Sequence, residues 1–110
     1  MQKIENKCPV GEALKFIGGK WPLQIIYEIG TEKRRFGELK RLIPNISEKM
    51  LIQELKKMVE SEIVHREAYP EIPPKVEYSL TEKGKKILPI VKQIETFGME
   101  LLGMEPEATP

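Results

Sequence analysis

Residues 46–84 read ISEKMLIQELKKMVESEIVHREAYPEIPPKVEYSLTEKG, and this stretch decides the fold. Its first half repeats apolar residues at the spacing of one helical face, at Leu51, Leu55, Met58 and Val59. Ser47 precedes them at the N-cap position, where its hydroxyl can accept a hydrogen bond from a free backbone amide. The stretch therefore begins with an amphipathic helix that packs one face against a core.

After Glu62 the apolar period changes from 3.6 to 2, which is the pattern of strands. The residues that mark two strands are Val64 and Ala68 in the first and Val76, Tyr78 and Leu80 in the second. The connection through residues 69–74 holds three prolines, which lack amide donors and cannot extend a sheet. Thr81 then caps a further helix. A surface helix followed by a stiff-tipped ribbon predicts a winged helix-turn-helix, a fold that reads duplex DNA.

Upstream of this stretch, the sequence predicts three short helices. The first begins at Pro9 and ends at Gly18–Gly19, which supply the left-handed geometry of a C-cap. The second opens at Pro22, and the third spans residues 36–43 and is broken by Pro44–Asn45. The residues expected to face inward are Leu23, Ile26, Tyr27 and Gly30 in the second helix and Phe36, Leu39, Leu42 and Ile43 in the third. The short break before the fourth helix matches helix-turn-helix geometry.

The last helix is expected to run from Thr81 past Gly98 and is longer than a monomer of this size needs. Its predicted apolar face consists of Ile87, Leu88, Val91, Ile94, Phe97 and Leu101. A second copy of the chain can cover this face, with an interface at Ile87, Val91, Ile94, Phe97 and Leu101. Folding of the face onto the monomer's own core is the alternative. The predicted fold class is thus mainly α with a small antiparallel β-hairpin (α+β), a winged helix-turn-helix with a long C-terminal dimerisation helix.

Length and composition exclude several classes of protein. The 110 residues predict a single domain, with a core over 8–98 and the helix end and a frayed tail over 99–110. No apolar run reaches about 18 residues and the first ten residues lack an apolar signal core, so we expect a cytoplasmic protein without a membrane segment. One cysteine, Cys8, one histidine, His65, and no aspartate argue against an internal disulfide, a bound metal and a Ser-His-Asp triad. Neither enzymatic activity nor a cofactor is therefore expected.

The distribution of charge is more informative than the net charge of +1. Residues 33–57 hold eight basic side chains against three glutamates, a local net charge of +5, whereas residues 95–110 hold four glutamates and no base. The outward face of the fourth helix presents Lys49, Gln53, Lys56 and Lys57, with Met50 at its margin. Such a face suits phosphates and base edges, although a solvated helix face has the same composition.

Several segments, in order and at matching spacing, resemble the HxlR-type winged helix-turn-helix regulators, which are related to the MarR type. They are Cys8-Pro9, the IGGKW of 17–21, the RFGEL of 35–39, the ISEKML of 46–51 and the YPEIPPKVEYSLT of 69–81. The resemblance runs from Cys8 to about Gly98. It implies a homodimer, formed through the N-terminal segment and the first and last helices, on a pseudo-palindromic operator.

The resemblance also implies roles for individual residues. It places four residues of the recognition helix in or at the major groove and one on phosphate, namely Ser47, Lys49, Met50 and Gln53 for the groove and Lys56 for the phosphate. Arg66 and Lys75 are expected to flank the minor groove at the wing, and Arg35 is grouped with these wing and phosphate contacts. As alternatives, Ser47 serves only as a cap, and Arg66 and Lys75 only protect a sheet edge. The aromatic residues Trp21, Phe36 and Tyr78 are expected in the core.

Cys8 is a candidate sensor of oxidants or electrophiles, because several members of the resembled family use a cysteine at this place. It precedes Pro9 at a predicted helix N-terminus and follows Lys7, a setting that favours a thiolate. The alternative is a small apolar residue packed at the dimer interface. With no second cysteine, oxidation yields either a Cys8–Cys8 bridge between subunits or a mixed adduct with a small thiol.

The leading hypothesis is therefore a transcription factor whose partners are double-stranded DNA, a second copy of the chain and a small-molecule or electrophile effector. A winged-helix module that docks another protein without specific DNA binding is the alternative. The basic excess over 33–57 favours DNA.

Overall fold

The computed structural model describes residues 8–105. Its elements are α1 (Pro9–Ile17), α2 (Pro22–Ile29), α3 (Phe36–Leu42), α4 (Glu48–Glu60), β1 (Val64–Tyr69), β2 (Lys75–Leu80), α5 (Glu82–Lys85) and α6 (Leu88–Leu101). The expected polar arm and most of the expected frayed tail lie outside the described residues. The helices with one antiparallel hairpin confirm the predicted winged helix-turn-helix fold.

The core is centred on α2, which packs against α1, α3, β2 and α6. Its buried face is formed by Ile25, Ile26 and Ile29, each with 0% exposure. Burial of one such side chain contributes about 1.5–3 kcal/mol. Tyr27 and Leu42, both predicted to face inward, are each 42% exposed. The prediction was wrong at Tyr27 because the buried face of α2 is rotated toward Ile25 and Ile29. It was wrong at Leu42 because that side chain lines an open cavity.

The turn between α3 and α4 fixes the direction of the fourth helix. Ile43 and Ile46 are buried on either side of it, and the Ile46 amide donates to the Ile43 carbonyl at 3.2 Å. The hydroxyl of Ser47 then accepts a hydrogen bond from the Met50 amide at 3.1 Å, as the cap prediction requires. At the start of α3, the Arg35 amide donates to Glu38 Oε1 at 2.8 Å.

The ribbon is antiparallel, with Val64 opposite Leu80 and Tyr69 opposite Lys75. Its turn, residues 70–74, lies beyond the paired strands, as the three prolines predict. A bridge from the α2–α3 connection adds to the sheet, because Arg34 and Tyr78 exchange backbone hydrogen bonds of 2.8 and 2.7 Å. The wing is therefore fixed to the helical core at β2.

The segment after the wing is two helices and not the single one that was predicted. Thr81 caps α5, with its hydroxyl accepting from the Gly84 amide at 3.0 Å. Pro89 has no amide proton to donate to the Lys85 carbonyl, and in a continuous helix its ring would clash with that carbonyl. Helix α5 therefore ends at Lys85, and α6 begins at Leu88.

Two glycines meet specific backbone requirements. A Cβ on Gly84 would lie 2.2 Å from the Ile63 carbonyl oxygen, so α5 approaches the strand entry this closely only with glycine. In the α1–α2 connection, Gly19 has φ of 93°, whereas Gly18 is extended with ψ of 171°. The left-handed residue expected at Gly18–Gly19 is thus Gly19.

Candidate nucleic-acid interface

Helix α4 separates an apolar face from a basic one, as predicted. Leu51, Leu55 and Met58 are buried, and the predicted outward residues are all exposed, namely Lys49, Gln53, Lys56 and Lys57. Met50, predicted at the major groove, is half-buried and packs against the core. Only part of its side chain therefore remains for a contact with DNA.

A groove of about 470 Å³ lies between α4 and the ribbon. Its walls carry Lys56 from the helix and Arg66 from β1, and Leu55, Val59 and Tyr78 also line it. Both basic side chains belong to exposed residues. Glu60 also lines the groove, so apolar walls are combined with two cations and one carboxylate. The excess of positive charge suits a polyanionic strand.

The two faces of the ribbon differ in character. Because side chains alternate along a strand, Arg66 and its partner Tyr78 lie on the face toward α4, and Lys75 and its partner Tyr69 lie on the opposite face. Lys75 Nζ is 3.6 Å from Glu77 Oε2 and 4.9 Å from the centroid of the Tyr69 ring. Arg66 and Lys75 were both predicted to flank the minor groove at the wing. They lie on opposite faces of the ribbon, and Lys75 contacts Glu77 and Tyr69 within the wing.

The face that carries Lys75 is acidic as well as basic. Glu67 and Glu77 are direct cross-strand partners, and the Tyr69 hydroxyl donates to Glu67 Oε1 at 3.2 Å. Partial burial, together with hydrogen bonds to Glu77 and Glu67 and their negative charges, raises the pKa of Tyr69 to about 12. Because like charges repel phosphate, the face of the ribbon that favours DNA is the one with Arg66.

The basic residues before α4 divide into anchored and exposed groups. Arg34 Nε donates to the Glu28 carbonyl at 2.9 Å, and Lys40 Nζ donates to the Pro44 carbonyl at 3.3 Å. Arg35, predicted as a phosphate contact, is exposed at the start of α3. Lys33 and Arg41 are exposed as well, so three cations within residues 33–41 are open to solvent.

Helix α6 presents an unpartnered apolar stripe. Its members are Ile90, Ile94, Phe97 and Leu101, which are 47%, 48%, 60% and 72% exposed. At about 100° per residue they fall within an arc of about 60°. Ile94, Phe97 and Leu101 were predicted for an interface between copies, and Ile90, which was not among the predicted residues, lies on the same stripe. Ile87 is half-buried and Val91 is 6% exposed, because both pack against the core of their own protomer.

A cavity of about 380 Å³ lies beside this stripe, between α2, α3 and α6. Leu23, Leu42 and Val91 contribute apolar walls, and Tyr27 donates a hydrogen bond to Glu95 across α2 and α6. The contact holds α6 to the helix at the centre of the fold.

Cys8 is exposed and occupies the N-cap of α1, as predicted for a residue before Pro9. Lys7, expected beside it, lies outside the described residues. Burial of Cys8, the alternative to a sensing role, therefore requires a second copy of the chain.

Among the described residues, 8–105, no group of three or more histidine, cysteine or glutamate side chains is arranged to hold a metal, and no helix is long and apolar enough to cross a bilayer.

Comparison with known proteins identifies close relatives. The family model for HxlR-like helix-turn-helix proteins matches residues 16–106. YybR, an uncharacterised HTH-type transcriptional regulator of Bacillus subtilis, is 46% identical over 91 residues, which are 83% of this chain and 73% of YybR. A solved structure from Porphyromonas gingivalis W83, assigned to the MarR family of transcriptional regulators, is 49% identical with a TM-score of 0.84 over 91% of this chain and 98% of its own. The redox regulator HypR in its oxidised form is 45% identical with a TM-score of 0.82 over 84% and 96% of the two chains.

Proposed function

The chain belongs to the HxlR-like helix-turn-helix family and is a DNA-binding transcriptional regulator, and from this premise we propose that it acts as a homodimer on a pseudo-palindromic operator. Each protomer places α4 in a major groove and the wing toward the adjacent minor groove. Two protomers related by a two-fold axis contact two half-sites of the same sequence.

The groove between α4 and the ribbon carries this proposal. A DNA strand that passes between a major-groove helix and a minor-groove wing runs along this groove, so Lys56 and Arg66 contact its phosphates from the two sides. Arg35, exposed at the start of α3, adds a further phosphate contact. Lys75 has a smaller role, because Glu77 and Tyr69 already engage its ammonium group.

Base contacts come from the first two turns of α4. Lys49 can donate to guanine O6 and N7, and Gln53 can form a bidentate pair with adenine. Ser47 keeps its capping hydrogen bond and approaches the groove at the helix N-terminus, where the positive end of the helix dipole also attracts phosphate. Half-buried Met50 contributes a limited apolar contact at the margin.

The second copy covers the exposed stripe of Ile90, Ile94, Phe97 and Leu101. Helix α1 offers further exposed apolar side chains to a second copy, since Val10 and Leu14 are 67% and 55% exposed. Burial of a contiguous apolar patch is favourable at about 25 cal/mol per Å², which supports a stable dimer.

Fluorescence anisotropy tests the function directly. The protein is titrated into labelled duplex from the region upstream of its own gene, and into a scrambled duplex, across a range of salt concentrations. A steep loss of log affinity with log salt and a preference for the natural duplex are expected. The double variant Lys49→Ala/Gln53→Ala should remove the preference. If the binding of a protein partner survives in this double variant and DNA binding never depends on salt, the partner-docking alternative holds.

A response to oxidants through Cys8 is a second candidate function. It is favoured by the exposure of the Cys8 thiol at the N-cap of α1, where an added oxidant can reach it. Two Cys8 thiols, one from each subunit, would lose two protons and two electrons to an added oxidant such as a peroxide and form one disulfide. Non-reducing electrophoresis and anisotropy after peroxide treatment test this, and equal sensitivity of DNA binding in Cys8→Ser would overturn it.

A further inference from the structure

Ile52 is an exposed apolar residue on the basic face of the recognition helix. It is 54% exposed, in the middle of α4. Lys49 lies three residues before it and Lys56 four residues after it, which puts both on the same side of the helix. An isoleucine here lowers the helix propensity, because its side chain is β-branched, and exposes apolar surface to water, which is unfavourable.

The core does not account for Ile52. Leu51 and Leu55 are buried, and Ile52 is turned by about 100° from Leu51 toward the lysines. Part of its surface lines the edge of the groove that Lys56 and Arg66 border. The rest of the exposed side chain lies on the side of α4 that carries Lys49. The exposed stripe on α6 is a separate surface, so the proposed dimer does not require Ile52.

We propose that Ile52 is a specificity-determining residue that packs against the C5-methyl group of a thymine in each half-site. This inference rests on the proposed DNA-binding function. In the major groove the thymine methyl is the apolar group that distinguishes this base from cytosine, and alkyl side chains recognise it by contact. Lys49 and Gln53 read hydrogen-bonding groups, whereas Ile52 reads a methyl group that they cannot detect.

The expected size of the effect follows from the burial of one methyl group. Removal of that contact corresponds to a loss of affinity of about fourfold, since a buried CH₂ group is worth about 0.8 kcal/mol. Because a palindromic operator contains two half-sites, removal of both methyl groups should multiply the losses, to roughly fifteenfold when the sites are independent.

Single replacement of each thymine by deoxyuridine tests the proposal, because it removes the methyl and leaves base pairing intact. Wild-type protein should lose about fourfold in anisotropy-measured affinity at one thymine in each half-site. Ile52→Ala should bind the thymine and uracil duplexes equally at that position. Alanine is the best helix former, so α4 is retained in this variant, and circular dichroism confirms it.

Gln53→Ala is the matched control, since it removes an exposed side chain from the adjacent position. It should weaken binding and keep the thymine-to-uracil ratio of the wild type. The proposal is overturned if no thymine methyl matters to the wild type, or if Ile52→Ala keeps the same ratio at every position. Binding of the wild type to unmodified DNA is measured before any base is replaced. If the wild type shows no sequence preference there, the proposed function itself is overturned.

Discussion

Lys56 on α4 and Arg66 on β1 line one groove, although they belong to different kinds of secondary structure. The helix positions the lysine, and the alternation of the strand turns the arginine toward the same space. The ribbon pairs Arg66 with Tyr78, and a backbone bridge joins Tyr78 to Arg34. These contacts therefore hold Arg66 on the face of the wing that borders the groove.

Loss of either cation should weaken binding to all duplexes alike. Lys56→Ala and Arg66→Ala should each reduce the magnitude of the slope of log affinity against log salt by about one, because one phosphate contact is lost. Salt-titrated anisotropy measures this. Lys92→Ala, which removes a lysine from α6 with a side chain 72% exposed, should leave the slope unchanged. An equal loss in Lys92→Ala would show that overall charge, and not the groove, controls affinity.

Ser47 should have separable roles in folding and in DNA binding. Ser47→Ala removes the cap of α4 and should cost about 1 kcal/mol, or roughly 4–8 °C in melting temperature. Ser47→Asp keeps a capping acceptor and should retain stability, but its charge should repel DNA and lower affinity. Thermal unfolding and anisotropy of both variants distinguish the roles. If Ser47→Asp binds DNA as tightly as the wild type, Ser47 acts only as a cap.

Gly84 should not tolerate a methyl group. The Cβ of alanine would meet the Ile63 carbonyl oxygen at 2.2 Å, so Gly84→Ala must displace α5 and should cost about 1–3 kcal/mol. Urea unfolding measures the loss. Gly37→Ala is the control, because its Cβ meets a neighbouring arginine nitrogen at an ordinary 3.7 Å within α3. That variant should be stabilised by about 0.5–1 kcal/mol, and equal destabilisation of both would contradict the packing of α5.

A charge on the α6 stripe should dissociate the dimer. Phe97 is 60% exposed in the protomer, so Phe97→Asp should leave the fold intact and give a monomer with weakened DNA binding. Analytical ultracentrifugation and anisotropy measure both effects. Thr96→Asp places the same charge on α6 but about 100° away from Phe97 and outside the stripe, and it should remain dimeric. A dimeric Phe97→Asp variant would exclude the stripe as the interface.

Tyr69 should ionise late in an alkaline titration. Its pKa in the folded protein is about 12, compared with about 10 for an unperturbed tyrosine. Because the folded state holds the proton more tightly, this contribution to stability is complete below about pH 10 and is lost as pH rises through about 12. Tyrosinate absorbance measures the step. Glu77→Gln should lower the pKa, and an unshifted step in that variant would contradict the role of Glu77.

The sequence predicted the elements whose signals are local. Ser47, the apolar stripe of α4 and the prolines of residues 70–74 each act within a few residues, and the structure confirms the cap, the buried face and the turn. Pro89 was also a local signal, and the break before α6 follows from it. The uninterrupted helix was predicted because the apolar period continues across the break.

The remaining features depend on tertiary packing. Engagement of Lys75 by Glu77 and Tyr69 depends on which side chains meet across the ribbon and on their rotamers, and the sequence alone does not fix these. Ile52 and Val91 are both apolar, yet Ile52 is exposed and Val91 is buried. The difference depends on which neighbouring elements cover each helix. Likewise, the need for glycine at position 84 arises from a strand entry about twenty residues earlier in the chain.

A hydroxyl-radical footprint of the protein on its operator tests the central claim most directly. A dimer with one α4 in each of two successive major grooves predicts two protected patches, related by a two-fold axis and separated by about one helical turn of 10–10.5 bp. The Lys49→Ala/Gln53→Ala variant should lose both patches together. A single unsymmetrical patch, or protection that does not depend on DNA sequence, would contradict the account.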